Sequence, residues 1–163
     1  LHPRVRRQRQ MCIRDSLYAV QQLEAAGYRQ YEISNFARPG HEGRHNLLYW
    51  NCNDYWGIGP AAHSCVDNVR RFWPGDVQGF IDGTIHEEIE GDCTVEDYLL
   101  MQLRLVSGLD IAEYERRGGR FTTAQRAFMR QCVGHGYAVL NGNVFRLTPA
   151  GMVVQNAILA ELI

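Results

Sequence analysis

Lysine is absent from this 163-residue chain, and all seventeen basic side chains are arginine. That bias marks a GC-rich coding sequence rather than a function. Cysteines at CxxC spacing are absent too. The five cysteines, at positions 12, 52, 65, 93 and 132, are odd in number and scattered. This excludes a disulfide framework and an iron–sulfur cluster built from a local motif, and the thiols read as buried or incidental. No apolar run approaches the ~18–20 residues of a membrane helix. The N-terminus is basic but has no apolar h-region, so nothing supports a secretory signal; the expected compartment is the cytoplasm. With 45% hydrophobic and 21% charged residues, disorder, collagen and coiled coil are excluded. The length fits one domain or two small ones.

A net charge of −1 conceals a split. Residues 1–16 hold five arginines and one aspartate, residues 17–92 five arginines against eleven acids, and residues 93–163 seven arginines against six acids. The first segment, LHPRVRRQRQMCIRDS, has no helical or alternating apolar period and too few apolar residues to bury a face. It could act as a basic arm for nucleic acid or lipid. The string RQRQMCIRDS, however, resembles translated sequencing-adapter sequence, so residues 1–16 are read as a non-native leader outside the fold.

From Ser16 the pattern changes. Leu17, Val20, Leu23 and Ala26 recur at helical spacing before Gly27, a C-cap candidate. Residues 28–34 (YRQYEIS) then alternate as a strand, and helix, glycine and strand in that order form the αβ half of a βαβ unit. The next thirty residues combine turn formers (Asn35, Pro39, Gly40, Gly43, Asn51, Asp54) with aromatics (Phe36, Tyr49, Trp50, Tyr55, Trp56). A long loop with that much apolar surface must be covered or must line a ligand site. In GIGPAAHS (57–64), Gly57 and Gly59 let backbone approach either a ligand or another strand; the spacing is not that of a dinucleotide or phosphate loop. Residues 66–72 read as a short strand or hairpin edge and 76–83 as a short helix.

A boundary falls near residues 87–92, beyond which the chain reads as self-contained. Thr94 with Asp97 resembles a capping box opening a helix that carries Tyr98, Leu99, Leu103 and Val106 and stops at Gly108. Asp110 caps a second helix to Arg117, and Thr122 or Thr123 opens a third. Residues 136–140 and 144–147, turning at Asn141-Gly142, signal a β-hairpin. Thr148-Pro149 opens a last helix through Leu162. Three helices, a hairpin and a closing helix make a winged-helix-like order. As a nucleic-acid reader it is poorly equipped, because the candidate recognition helix presents only Arg126 and Arg130.

Two strings in fixed order, YEISNFARPGHEGRHNLLYW (31–50) and YWGIGPAAHS (55–64), closely resemble the HemW family. These are bacterial heme chaperones related to oxygen-independent coproporphyrinogen III oxidase within the radical-SAM enzymes. The resemblance runs from about residue 17 to residue 163. It implies an α/β plus α+β chain: the C-terminal end of a radical-SAM (β/α) barrel over 17–91, then a small winged-helix-like helical domain over 92–163. The family's HNxxYW motif falls on His45, Asn46, Tyr49 and Trp50, which the resemblance makes heme-binding residues, with His45 facing the iron. The chemistry is apt: neutral imidazole is a good axial ligand, Tyr49 and Trp50 offer flat apolar surface, and Asn46 could orient the ring. Gly57 and Gly59 match the stretch where backbone approaches S-adenosylmethionine. His41 and His63 have no assigned role; His41 and His45 are four apart, but Gly40 and Gly43 argue against a helical zinc pair. Where the family usually has cysteine, this chain has Gly43.

The resemblance further implies heme as ligand and acceptor hemoproteins as partners, membrane-bound respiratory enzymes among them, with no nucleic acid. The family's CxxxCxxC motif, which holds a [4Fe–4S] cluster with S-adenosylmethionine on its open iron, has no counterpart in this sequence, so these residues alone are expected to perform no radical chemistry. Two other readings compete. One is a coproporphyrinogen III dehydrogenase of the same architecture, against which HNLLYW weighs; the other is the winged-helix nucleic-acid binder.

Overall fold

The computed structural model describes residues 3–163, with side chains from Ile13 onward. In chain order the first half comprises α1 (Pro3–Ala25), β1 (Arg29–Glu32), β2 (Asn35–Ala37), α2 (Arg44–Trp50), β3 (His63–Val66), β4 (Val69–Phe72), α3 (Val77–Ile81) and β5 (Glu88–Asp92). There follow α4 (Val95–Gln102), β6 (Leu109–Asp110), α5 (Ile111–Arg116), α6 (Thr123–Gly134), β7 (Ala138–Asn141), β8 (Val144–Leu147), α7 (Pro149–Met152) and α8 (Gln155–Leu162). The chain divides into two compact units, residues 1–43 with 102–163, and residues 44–101.

In the first unit α1 starts at Pro3, well before the apolar period at Leu17. Arginine, glutamine and methionine are good helix formers without any apolar face, so a search for amphipathicity passes over them. The charged side chains before Ile13 lie outside the described residues. Gly27 ends the helix with φ +84°, the left-handed geometry of a C-cap glycine. β1 then turns directly into β2, antiparallel, with a bulge between Gln30 and Glu32. The expected αβ half of a βαβ unit is thus replaced, among the described residues, by a hairpin. The turn is too short for anything else, since a parallel partner needs a crossover of a dozen or more residues.

The core of this unit is apolar and closely built. Leu103, Leu109, Phe145, Leu147 and Leu162 are almost wholly buried, joined by Tyr114, Met129, Cys132, Ile158 and Leu159. Asp110 caps α5 by accepting from the Ala112 and Glu113 amides. Thr122 and Gln125 form a reciprocal capping box on α6. The hairpin β7–β8 pairs Asn141 with Val144, so Gly142 and Asn143 form its tip, one residue later than expected. β6 joins the other edge of β8 to complete a sheet of order β6-β8-β7; two residues are too few to announce a strand by alternation. The closing helix is broken into α7 and α8. Gly151 lies so near Tyr137 that an added Cβ would sit 1.9 Å from its carbonyl oxygen. The short α7 is therefore held against the strand end before the chain re-enters helix at Gln155.

The second unit is smaller. β3, β4 and β5 form an antiparallel sheet in that order. β3 and β4 join through Asp67 and Asn68, both at positive φ (52° and 64°), the pairing a two-residue type I′ turn demands. Asp76 caps α3 by accepting from the Gly79 amide, and Thr94 and Asp97 exchange the expected bonds at the start of α4. That helix ends at Gln102 rather than near Gly108. Beyond it, Leu105 bridges Glu32 and the Val106 amide donates to Tyr31, so strand-edge pairing takes the backbone groups that a continued helix would have used.

A histidine-lined cavity as the candidate functional site

Residues 44–50 form α2, not the expected loop. On a helix, positions four apart share a face. His45 and Tyr49 therefore present together, with Asn46 and Trp50 one step round. His45 and Tyr49 line an open cavity of about 660 Å³, inside the ~300–1,000 Å³ range of ligand pockets. Asn46 and Trp50 are not among its lining residues. The His45 side chain is exposed, with its ring edge-on to Tyr49 at 4.9 Å and to Tyr55 at 6.5 Å.

The rest of the cavity wall comes from the loop after α2 and from the sheet: Tyr55, Trp56, Gly57, Ile58, Ala61, Ala62, His63, Arg70 and Glu90. Tyr55 and Cys65 exchange backbone hydrogen bonds of 2.8 and 3.0 Å, which ties the loop to β3. Burial, with lesser contributions from the nearby Cys65, Tyr49 and Cys93, pushes the Tyr55 phenol up to about 12. It stays protonated at neutral pH. Trp56 and Ile58 are 66% and 88% exposed, so the cavity offers apolar surface to solvent that nothing in its own unit covers.

Gly57 and Gly59 play different parts. A Cβ at Gly57 would sit 2.2 Å from the His63 carbonyl oxygen, and its amide donates to Ser64 Oγ at 3.1 Å. Gly57 thus permits the close backbone approach that fixes the start of β3. Gly59 has open space around it but a φ of +107°, which only glycine adopts readily; it does not line the cavity.

Behind His63 runs a chain of charges. His63 Nδ1 lies 3.5 Å from Glu90 Oε2, Arg70 Nε lies 3.7 Å from the same oxygen, and Arg70 Nη1 lies 3.3 Å from Asp97 Oδ2. Burial works against the Asp97 carboxylate, but the Thr94 amide and hydroxyl together with Arg70 outweigh it and hold its pKa below the ordinary value. Nearby, the sulfurs of Cys65 and Cys93 are 3.2 Å apart, and burial, reinforced by Cys65, pushes the Cys93 thiol up to about 12. Cys52, Cys65, Cys93 and Cys132 are free thiols, and Cys12 lies outside the described side chains. Among the described residues no three His, Cys, Asp or Glu side chains converge as a metal site.

The chain is similar to known proteins over most of its length. Residues 94–154 match the HemN C-terminal domain. The heme chaperone HemW of Mycobacterium tuberculosis strain H37Rv is 31% identical over 150 residues, covering 86% of this chain and 36% of that protein. This chain belongs to the HemW family. HemW of Escherichia coli K12 is 29% identical over 147 residues, covering 85% of this chain and 39% of its own length. The mouse mitochondrial radical S-adenosyl methionine domain-containing protein 1 is 61% identical over 78 residues, which is 48% of this chain and 16% of that protein. In fold, this HemW-family chain is similar to the coproporphyrinogen III oxidase HemN of E. coli, with a TM-score of 0.62 at 16% identity, over 89% of this chain and 39% of that one. At that identity the likeness concerns the mixed α/β fold alone. The chain spans little more than a third of the length of the full HemW relatives above.

Two residues of the cavity wall, Arg70 and Glu90, carry no signal of their own in the sequence. They sit on different strands and meet only through sheet pairing. Away from the cavity, Glu32 likewise gives no sign in the sequence of the role it has in the structure. Inside YEISNF it is fully buried and accepts from the Ser34 amide and the Asn35 side chain at 2.9 and 2.6 Å, and from Arg104 Nε at 2.9 Å. In that string Glu32, Ser34 and Asn35 build a turn rather than a ligand site.

Proposed function

We propose that this chain is the heme-contacting portion of a HemW-type chaperone, a protein that binds heme and passes it to acceptor hemoproteins. The observation that carries the proposal is the exposed His45 imidazole on the wall of a cavity whose lining also includes Tyr49, Tyr55, Trp56 and Ile58. An accessible imidazole supplies an axial ligand, flat rings accept a macrocycle face, and the volume admits a ligand of that class. Had His45 been packed inside a core, the proposal would have had no footing. Asn46 and Trp50 belong to the reading through the motif, as the adjoining face of α2. Loose seating suits a carrier, because cargo must leave as well as arrive.

In the same reading the residues over 17–91 are the C-terminal end of a radical-SAM barrel, 92–163 form the winged-helix-like domain, and the compartment is the cytoplasm. No described helix is long and apolar enough to cross a membrane. Gly57 and Gly59 would lie where S-adenosylmethionine approaches in the whole protein. CxxxCxxC spacing does not occur in this sequence, and the proposal routes no radical step through these residues. Arg126, one of two arginines on the candidate recognition helix, is paired with Glu115 at 2.6 Å, which further weakens any case for phosphate binding.

Titration of ferric heme into the chain, followed by its absorbance spectrum, tests the proposal. The parent should bind with a spectral shift that His45→Ala abolishes or changes in form. Identical spectra for the two would remove His45 from the iron and the proposal with it.

A further inference from the structure

We propose that His63 is a second imidazole for the iron of the same bound heme, so that two histidines of one cavity face the metal. The inference rests on the heme-binding reading above and extends it to a residue outside the HNxxYW motif. Its basis is geometric. His63 and His45 line one cavity from different elements, the start of β3 and the first turn of α2.

The His63 ring is held by neighbours at one nitrogen and along one face. Its Nδ1 faces Glu90 Oε2 at 3.5 Å, and one face lies against Phe72 with ring centroids 5.9 Å apart and planes 28° from parallel. A carboxylate opposite Nδ1 favours the tautomer with hydrogen on that atom and leaves the Nε2 lone pair free. Carboxylate–histidine–metal sites use the same arrangement to fix the ring and raise its basicity. Arg70 Nε lies 3.7 Å from the same Glu90 oxygen and Arg70 Nη1 lies 3.3 Å from Asp97, which sets a counter-charge beside the orienting carboxylate. The backbone is fixed as well, since Gly57 packs against the His63 carbonyl with no room for a Cβ. The His63 side chain nevertheless remains 54% exposed, which leaves it accessible to a ligand. For a carrier, two weakly committed imidazoles offer an advantage: an acceptor can displace one while the other still holds the iron.

The test uses the whole chain loaded with ferric heme, read by absorbance and electron paramagnetic resonance. The parent complex should be six-coordinate and low-spin. His63→Ala should still bind heme but turn high-spin, and free imidazole added to that variant should restore the low-spin signal. Glu90→Gln should retain both histidines and weaken heme binding about 10-fold; both variants alter exposed side chains and should keep the parent's circular dichroism. A heme complex that depends on His45 but keeps its spin state in His63→Ala overturns this inference and leaves the heme-binding reading standing. Failure of the parent to bind heme at all, or binding indifferent to His45, overturns both.

Discussion

The Glu32–Arg104 pair shows how much one side chain can be asked to do. Glu32 is wholly buried, and its two oxygens divide the work: Oε1 accepts from Arg104, and Oε2 from Ser34 and Asn35. Burial alone would raise its pKa, but the Ser34 amide, the Asn35 side chain and the Arg104 guanidinium together outweigh that and hold it below the ordinary carboxylate value. Removing the cation strands a buried charge, which costs more than the intact pair contributes. Arg104→Ala should therefore destabilise the chain by about 3 kcal/mol, measured by chemical denaturation, whereas Arg14→Ala, at an exposed pair with Asp15, should be nearly silent. At the cavity, His45 and His63 are the residues on which the proposed function rests, and the heme titrations above decide their roles. His45 is marked as a candidate by the string HNLLYW. His63 is not, because Glu90, the carboxylate beside it, stands twenty-seven positions away.

Among the elements, the clearest successes of sequence reasoning were those specified by local chemistry. Asp110 before α5, Thr122 before α6 and Thr148 before α7 all cap as their residue types require. Thr122→Ala should remove the hydroxyl half of the capping box, leaving the residue 122 N–H to donate to Gln125, and cost about 1 kcal/mol, read as a shift of the denaturation midpoint. The elements whose structure departs from their local pattern share a different cause. The apolar spacing of α4 continues past its end, but the backbone after Gln102 pairs with the edge of β1. The pattern of the final helix is continuous, but Gly151 is drawn against Tyr137. The glycines and asparagines flanking α2 predict a loop, and seven residues of helix are too few to establish a period. In each case a tertiary contact or a short length overrode the local pattern.

Across the whole molecule, two carboxylates with lowered pKa values stand in different compact units, Glu32 in one and Asp97 in the other. A carboxylate whose folded pKa is depressed contributes stability that is fully present above its unfolded value and is lost as pH falls through the folded one. Stability should therefore be level near neutrality and decline below the ordinary carboxylate range. Thermal melts recorded as a function of pH check this: Glu32→Gln and Asp97→Asn should each be less stable at neutral pH and lose less on acidification than the parent. Unchanged pH slopes in both variants would show that other groups govern acid sensitivity. Read by itself, the sequence determined what depends on neighbours a few residues apart: caps, hairpin turns, the absence of a cluster motif, and the motifs that resemble HemW. Tertiary structure alone decided which of those residues meet. His45, His63, Arg70 and Glu90 come to one cavity only because a helix, a loop and three strands pack together, and such convergence over long separations leaves no periodic trace in a single sequence.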